Sequence, residues 1–591
     1  MQNLLEKRGI TDPEQAEIFL NPSYERDLYD PFLMRDMEKA CVRIFEAMEA
    51  KEKIVIYADY DCDGIPGAVI LQDLFKKINY PNFEVYPNTK IKEKNNFGVG
   101  VYIPQRNSEG YGLNLSAIKQ FADNDVKLLI TVDLGITAVA EVAQAKVDDI
   151  DVIITDHHLP KIASPHEISS SCALPGVPGG TLGDKKFHET LLLPHAYAIL
   201  NPKVDDYPEK MLCGAGVAFK LVQAFVKKYG EYFKITDGWE KWLLDMAGMA
   251  TLSDMVPLLG ENRAIASFGI KVLRKSPRPG LMKLLTKMNI DQRYLTEDDV
   301  GFMIAPRLNA ASRMDDPMRA FELLATNDAA LADTLAKHLT KINDERKLIV
   351  AGIMREVNKK FGNSSLHEMK EVVVIGNPAW RVGVLGLVAG KISDEYKKPV
   401  FVWGRDENDC IKGSCRSDGS VSVVELMTET KDHFIEFGGH ELAGGFTALN
   451  EKIHFLEETL SVAYGKVKRD KKETEISFDV KSDLSIVNMK SWRELEKIAP
   501  FGLENPKPVF FFEGAKIENL KSFGKNNSGE HLEIIFSDAS KNKIKAISFF
   551  STIDSFKVPL ALGLSVNLLA TFDLSHFAGR EELRLRIVDI L

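Results

Sequence analysis

Three short apolar runs in this chain end in acid, and that pattern narrows the folds open to it. Ile54-Val55-Ile56-Tyr57 runs into Asp59, Asp61 and Asp63. Leu128-Leu129-Ile130-Thr131 runs into Asp133, and Val152-Ile153-Ile154-Thr155 runs into Asp156-His157-His158. Apolar runs of this length, bounded by Gly and polar residues, read as buried parallel strands. Open α/β sheets bind ligands at the carboxyl ends of such strands. Neighbouring strands of this kind deliver several carboxylates and both imidazoles to one crevice. So much charge is costly to desolvate unless metal ions neutralise it.

Each piece has a plainer explanation when taken alone. Asp59-Tyr60-Asp61-Cys62-Asp63-Gly64 fits the first half of a calcium loop. The closing position of that loop requires a bidentate Glu, and here it is Ile70. Asp133 by itself could cap a helix, and His157-His158 could be ordinary loop residues. Their conjunction on three strand ends points to a metal site. Hard carboxylate oxygens with a few imidazoles and no thiolate cluster suit Mn²⁺ or Mg²⁺ better than zinc.

A chain of 591 residues is too long for one core, so several domains are expected. The first, residues 1–325, alternates strands and helices as a doubly wound parallel sheet does. Gly64 and Gly67 open one of its helices, and Gly214-Ala215-Gly216-Val217 opens another. Residues 159–194, rich in Pro, Gly and Ser, form a surface excursion. Residues 326–364 contain one long helix, predicted over Ala329 to Lys360. Residues 365–465 are a smaller α/β domain with strands at Glu371–Ile375 and Val400–Trp403. Residues 466–591 are β-rich, a small barrel or sandwich with turns such as Asn526-Asn527-Ser528-Gly529.

Composition sets the setting. Charged residues make up 27% and hydrophobic residues 45%, as in ordinary soluble proteins. No run is apolar for long enough to span a bilayer, and the first residues lack a signal-peptide core. The six cysteines stand singly, as reduced thiols of a cytoplasmic protein do. The net charge of −10 argues only weakly against a nucleic-acid partner, because affinity follows local patches and the crevice supplies part of the excess. Basic residues gather at Lys466, Lys468, Arg469, Lys471 and Lys472, and at Lys516, Lys521, Lys525, Lys541, Lys543 and Lys545. A solvated linker accounts for the first group as readily as a binding surface does.

Asp156-His157-His158, with the two acidic strand ends, resembles the signature of the DHH phosphoesterase superfamily. Leu244 to Leu258, containing Asp254, is similar to its fourth motif. Pro306-Arg307-Leu308-Asn309-Ala310-Ala311-Ser312-Arg313 resembles a motif of its RecJ branch of single-strand-specific exonucleases. Lys412 to Ser417 and Gly438 to Gly445 resemble the DHH-associated domain. Arg8-Gly9-Ile10, Asp30 to Met37, and Pro500 to Phe510 resemble further RecJ-branch segments. The resemblance spans nearly the whole chain and makes the third domain an oligonucleotide-binding barrel.

It implies a 5′-to-3′ exonuclease of single-stranded DNA in repair and recombination. Asp61, Asp63, Asp133, His157 and Asp254 would hold two ions about 4 Å apart, with Asp133 as the bridge. Asp59 and Asp156 would orient ligands or water, and His158 would meet the scissile phosphate or a metal. No protein nucleophile is needed. Arg416 with Ser414, and Arg307 or Arg313, would grip a terminal phosphate through guanidinium forks. His440, behind Gly438-Gly439, would approach a phosphate too. Tyr102 and Tyr111, around Arg106, could stack on bases or belong to the core. The implied partners are single-stranded DNA, a helicase and a single-strand-binding protein; the implied state is a monomer without a membrane.

The chain departs from the family pattern at Arg381 after Trp380, where His is usual. Ser312 and Cys415 stand where Gly is usual, and Leu134 where Asn is common. None of these removes an assigned metal ligand. Two other readings remain: a phosphodiesterase of short oligonucleotides or cyclic dinucleotides, and a binding protein that keeps the fold without catalysis.

Overall fold

The computed structural model describes residues 1–83, 97–162, 191–362, 370–468, 477–524, 531–538, 540–576 and 581–591. Most of the 159–194 excursion, the turn at Asn526 to Gly529, and Arg469, Lys471, Lys472 and Lys525 lie outside the described residues. The chain divides into two compact units. One comprises Met1–Tyr102, Gly112–Ala305 and Glu475–Leu591; the other comprises Ile103–Tyr111 and Pro306–Thr474. No described helix is long and apolar enough to cross a membrane.

The first unit is built on five parallel strands: β1 (Lys53–Ala58), β2 (Gly98–Tyr102), β3 (Val126–Val132), β4 (Asp151–Thr155) and β5 (Ala198–Leu200), in the order β2-β1-β3-β4-β5. All six residues of β1 are buried, as an apolar run covered on both faces must be. Ala58 is opposite Val132, and Val132 is opposite Thr155. Asp59, Asp133 and Asp156 are therefore the next residues of three adjacent strands. One face carries a core of Tyr57, Tyr102, Phe121, Leu129 and Ile154. Tyr102 is 2% exposed and stacks on Tyr57 at 5.0 Å, so it packs the core and cannot stack on bases. Helices α1 (Gly64–Lys77), α2 (Gly214–Tyr229) and α3 (Leu244–Ser253) pack on one another in this unit.

The same unit contains a closed barrel. Its strands are β11 (Val480–Ser482), β12 (Phe510–Phe523), β13 (His531–Ser537), β14 (Lys543–Phe549), β15 (Ser565–Ser575) and β16 (Glu582–Ile590). The order β11-β12-β13-β14-β16-β15 closes through pairing of β12 with β15. Leu4, Leu5 and Phe19, from the first two helices of the chain, enter its hydrophobic core. Each such side chain contributes about 1.5–3 kcal/mol when fully buried. That shared core is why residues 475–591 cluster with the first unit.

The second unit holds a sheet of order β9-β10-β8-β7-β6. Its strands are β6 (Val373–Gly376), β7 (Val400–Arg405), β8 (Ile411–Arg416), β9 (Phe434–Gly439) and β10 (Ala443–Ala448). Helix α4 (Ala305–Met314) starts at the division, and α5 (Ala329–Phe361) and α6 (Leu385–Tyr396) follow. Residues 306–325, placed by sequence in the first domain, belong to this unit, because the helix Met318–Ala325 packs against α5.

Candidate metal centre

The loop after β1 folds back on itself. Asp61 Oδ1 accepts from the backbone N–H of Asp63 at 2.8 Å and of Gly64 at 3.3 Å. Short Asp side chains close turns in this way. The Asp63 carboxylate accepts from the N–H groups of Gly214 and Ala215 at 2.6 and 2.7 Å. It thus sits on the N-terminus of α2, where unpaired N–H groups and the helix dipole favour an anion. Gly214 permits the approach: a Cβ there would lie 2.5 Å from Cβ of Asp133.

Asp133 has φ +62°, the left-handed region that a non-glycine residue enters at a cost of about 1–2 kcal/mol. Its backbone N–H donates to the Thr155 carbonyl at 2.9 Å, which holds the turn in place. Strain of this kind persists where surrounding structure over-determines it, and it clusters at functional sites.

Asp156 gathers the turn that follows it. Its carboxylate accepts from the N–H groups of Ile136 (2.9 Å), His157 (2.7 Å) and His158 (3.1 Å), and meets His158 Nδ1 at 2.8 Å. His157 Nε2 lies 3.1 Å from Asp133 Oδ1, 3.7 Å from Asp63 Oδ2 and 3.8 Å from Asp254 Oδ2. Candidate ligand atoms gather within 4.8 Å of one another in three sets: Asp133, His157 and His158; Asp63, His157 and Asp254; Asp59, Asp61 and Asp133.

The electrostatics demand a cation. Burial, then the neighbouring carboxylates, raises Asp133 well above the usual carboxylate range. Burial and the charges of Asp63 and Asp61 likewise push Asp254 up, and burial with Asp61 raises Asp63. These acids resist ionising together without positive charge between them. Burial, then His158, lowers His157, so its imidazole is neutral and ready to ligate. Burial opposes charge on both Asp156 and His158, yet their contact keeps the acid ionised and the imidazole protonated more readily than usual. Oxygen-rich, thiolate-free donors fit Mn²⁺ or Mg²⁺. Cys62 and Cys213 are buried nearby, but burial raises both thiols, so neither offers a thiolate.

All eight residues expected at the crevice thus belong to the first unit: Asp59, Asp61, Asp63, Asp133, Asp156, His157, His158 and Asp254. Sequence reasoning missed Asn201 and Lys203, which follow β5. The fully buried Asn201 donates to the His158 carbonyl at 2.9 Å and accepts from the Lys203 N–H at 2.9 Å. The signal was there in Ala198-Ile199-Leu200, a fourth apolar run ending in polar residues.

The six expected substrate contacts belong to the second unit. Ser414 and Arg416 share one face of β8: a Cβ on Gly386 of α6 would lie 3.4 Å from Ser414 Oγ and 3.2 Å from Arg416 Nη2. Arg416 is lowered by burial and, in part, by the charge of Arg106. Such crowding of guanidiniums favours an anion. Arg313 donates to the Gly383 carbonyl at 3.2 Å. Arg307 is buried beside Asp344 and Arg346 of α5 rather than lying on a surface. Gly439 has φ +143°, and a Cβ there would come within 2.5 Å of Gly444 Cα across the β9–β10 pair. Close strand pairing therefore explains this glycine. His440 is exposed in the turn between the two strands.

Comparison with known proteins fits this layout. Residues 53–174 match the DHH family N-terminal domain, residues 369–465 the DHHA1 domain, and residues 478–589 the RecJ OB domain. The chain is 32% identical to the single-stranded-DNA-specific exonuclease RecJ of Bacillus subtilis, over 99% of this chain and 67% of that one. It is 28% identical to RecJ of Haemophilus influenzae, over 95% and 92%. Its fold is similar to that of Mn²⁺-bound RecJ from Thermus thermophilus (TM-score 0.74, 24% identity, 100% and 75% coverage). A second RecJ structure, bound to manganese, matches at TM-score 0.58 and 26% identity, over 74% of this chain and 97% of that one.

Proposed function

The chain belongs to the RecJ family of single-stranded-DNA-specific exonucleases, and on that premise we propose that it hydrolyses single-stranded DNA stepwise from the 5′ end with two Mn²⁺ or Mg²⁺ ions. The observation that carries the reading is the convergence of Asp63, Asp133 and Asp254 on His157 Nε2. Asp61, Asp63, Asp133, His157 and Asp254 are the residues that would hold the ions. Divalent ions in such a cluster supply a water of lowered pKa and neutralise charge on the phosphate.

The protein's own groups do the positioning. The α2 N-terminus fixes Asp63, and the turn at Asp133 aims that carboxylate between its neighbours. Asp156 holds His158 by Nδ1, which keeps Nε2 for the scissile phosphate or a metal. Asp59, buried at the same strand end, orients ligands or water. No side chain need attack phosphorus, so no covalent intermediate forms. Arg416 with Ser414, supported by Arg313 and Arg307, serves the terminal phosphate, and His440 with Gly439 the strand beyond it. The barrel binds the trailing single strand.

This reading implies a cytoplasmic monomer working beside a helicase and a single-strand-binding protein. The barrel favours long strands over dinucleotides as substrate. A digestion in Mn²⁺ of 3′-labelled single strand, duplex and dinucleotide tests it. Stepwise shortening of the single strand from its 5′ end, with the duplex spared, is the expected result. Cleavage of the dinucleotide alone would replace this reading with a small-substrate phosphodiesterase.

A further inference from the structure

We propose that Lys203 is a catalytic residue whose ammonium contacts a non-bridging oxygen of the phosphate being cleaved. The proposal rests on the phosphodiesterase reading above and names a group in the same site.

Lys203 is placed by the fold. Strand β5 runs parallel to β4, with Leu200 opposite Thr155, and the Asp156 N–H donates to the Leu200 carbonyl at 3.1 Å. The chain leaving β5 therefore passes the strand end that carries Asp156, His157 and His158. Asn201 then bridges the two segments, bonding the His158 carbonyl with one end of its amide and the Lys203 N–H with the other. Being fully buried, that amide has one orientation available, and Lys203 inherits it.

The surroundings of the ammonium are uneven. Asp254, Asp156 and Asp133 act on it from the crevice. Yet Lys203 forms no ion pair or hydrogen bond through its ammonium with any described residue, although it is half-buried. Arg278, a half-buried cation elsewhere in the unit, is by contrast closely paired with Asp73 and Asp245 at 2.7 Å. A cation held beside a carboxylate cluster without joining it is positioned for an anion that arrives later. The ligand must carry negative charge and must enter where the acids converge, and a phosphodiester does both. Preorganised charge aimed where charge develops is the most effective single contribution a side chain makes to such a reaction.

The competing role is charge balance, with Lys203 merely offsetting carboxylates, and the two roles predict opposite changes. Removing a cation from beside a metal site should leave Mn²⁺ binding equal or tighter. If Lys203 contacts phosphate, Lys203→Met should still lose roughly 10²-fold in kcat, with KM little changed. Lys203→Arg should recover part of that loss. Binding of thymidine 5′-monophosphate to the Mn²⁺-loaded protein should weaken about tenfold in Lys203→Met, a readout independent of turnover. A wild-type preference between phosphorothioate diastereomers at the scissile position should shrink in the variant. Retention of both kcat and nucleotide affinity within about twofold would overturn the proposal, as would a loss explained wholly by weaker Mn²⁺ binding. Wild-type protein that binds Mn²⁺ and the nucleotide through Lys203 without digesting DNA would sink the exonuclease reading while sustaining the contact.

Discussion

The metal crevice of the first unit and the arginine-bearing face of the second are built in opposite ways. The crevice takes most of its acids from the ends of parallel strands, with Asp254 following α3, and backbone N–H groups fix several of them. Asp63 rests on Gly214 and Ala215, and Asp156 on Ile136, His157 and His158. The second face is assembled from pieces far apart in sequence, with Arg106, Gly386, Ser414 and Arg416 meeting at one end of β8. Its guanidiniums lean on carbonyls, as Arg416 does on Cys415 O at 2.8 Å. Anions held by rigid backbone suit chemistry that tolerates little movement. Cations on long side chains suit a strand that must slide and be released.

The comparison is broken most directly at Asp133. Asp133→Ala should cost roughly 10³-fold in activity while the circular dichroism spectrum stays native; near-wild-type turnover would mean the crevice is not the catalytic site. Gly214→Ala removes no ligand residue but sets a Cβ against Asp133, which must shift. A displacement near 1 Å should cost about 10²-fold in kcat, measurable at saturating DNA.

Asp156→Asn keeps shape but loses charge beside His158, and should weaken Mn²⁺ binding or activity by about 10–100-fold, as titration calorimetry would show. On the other face, Arg416→Ala should raise KM for 5′-phosphorylated strands about tenfold, the loss of one charged hydrogen bond, and leave kcat nearly unchanged. An equal fall in kcat would erase the distinction between the two regions.

The smallest effect is on stability. Asp63, Asp133 and Asp254 have folded pKa values raised above the ordinary carboxylate value. The folded, metal-free state therefore binds protons more tightly than the unfolded one. Its stability falls as pH climbs from the unfolded value near 3.8 toward the raised folded values. Melting curves with and without Mn²⁺ should thus separate by several degrees more at about pH 8 than at about pH 5.5. A pH-independent gap would contradict the clustering of these acids.

The sequence also marked segments whose purpose it could not state. Arg8-Gly9-Ile10 and Pro500 to Phe510 read as family markers at opposite ends of the chain. In the structure they meet. Arg8 Nε donates to Asn505 Oδ1 at 2.8 Å, and the fully buried Asn505 amide donates to the carbonyls of Ile498 and Pro500 at 2.8 Å each. Arg263 donates to the carbonyls of Phe19, Ile498 and Ala499. These residues therefore clamp the barrel to the chain's beginning. Tyr102 carried a functional expectation, and packing explains it.

What the sequence determined by itself was whatever depends on neighbours along the chain. Apolar runs gave the strands, Gly64 and Gly214 the helix starts, and the acids at strand ends the metal chemistry. Periodicity and turn chemistry act over a few residues, so they can be read without coordinates. Tertiary structure decided what depends on residues distant in sequence. It set the order β2-β1-β3-β4-β5, brought Asp254 to His157, placed Lys203 in the field of the crevice, and joined the first helices to the barrel. Those outcomes follow from burying faces that local pattern only marks as apolar. A single chain offers many partners for such a face, and only the packed structure chooses one.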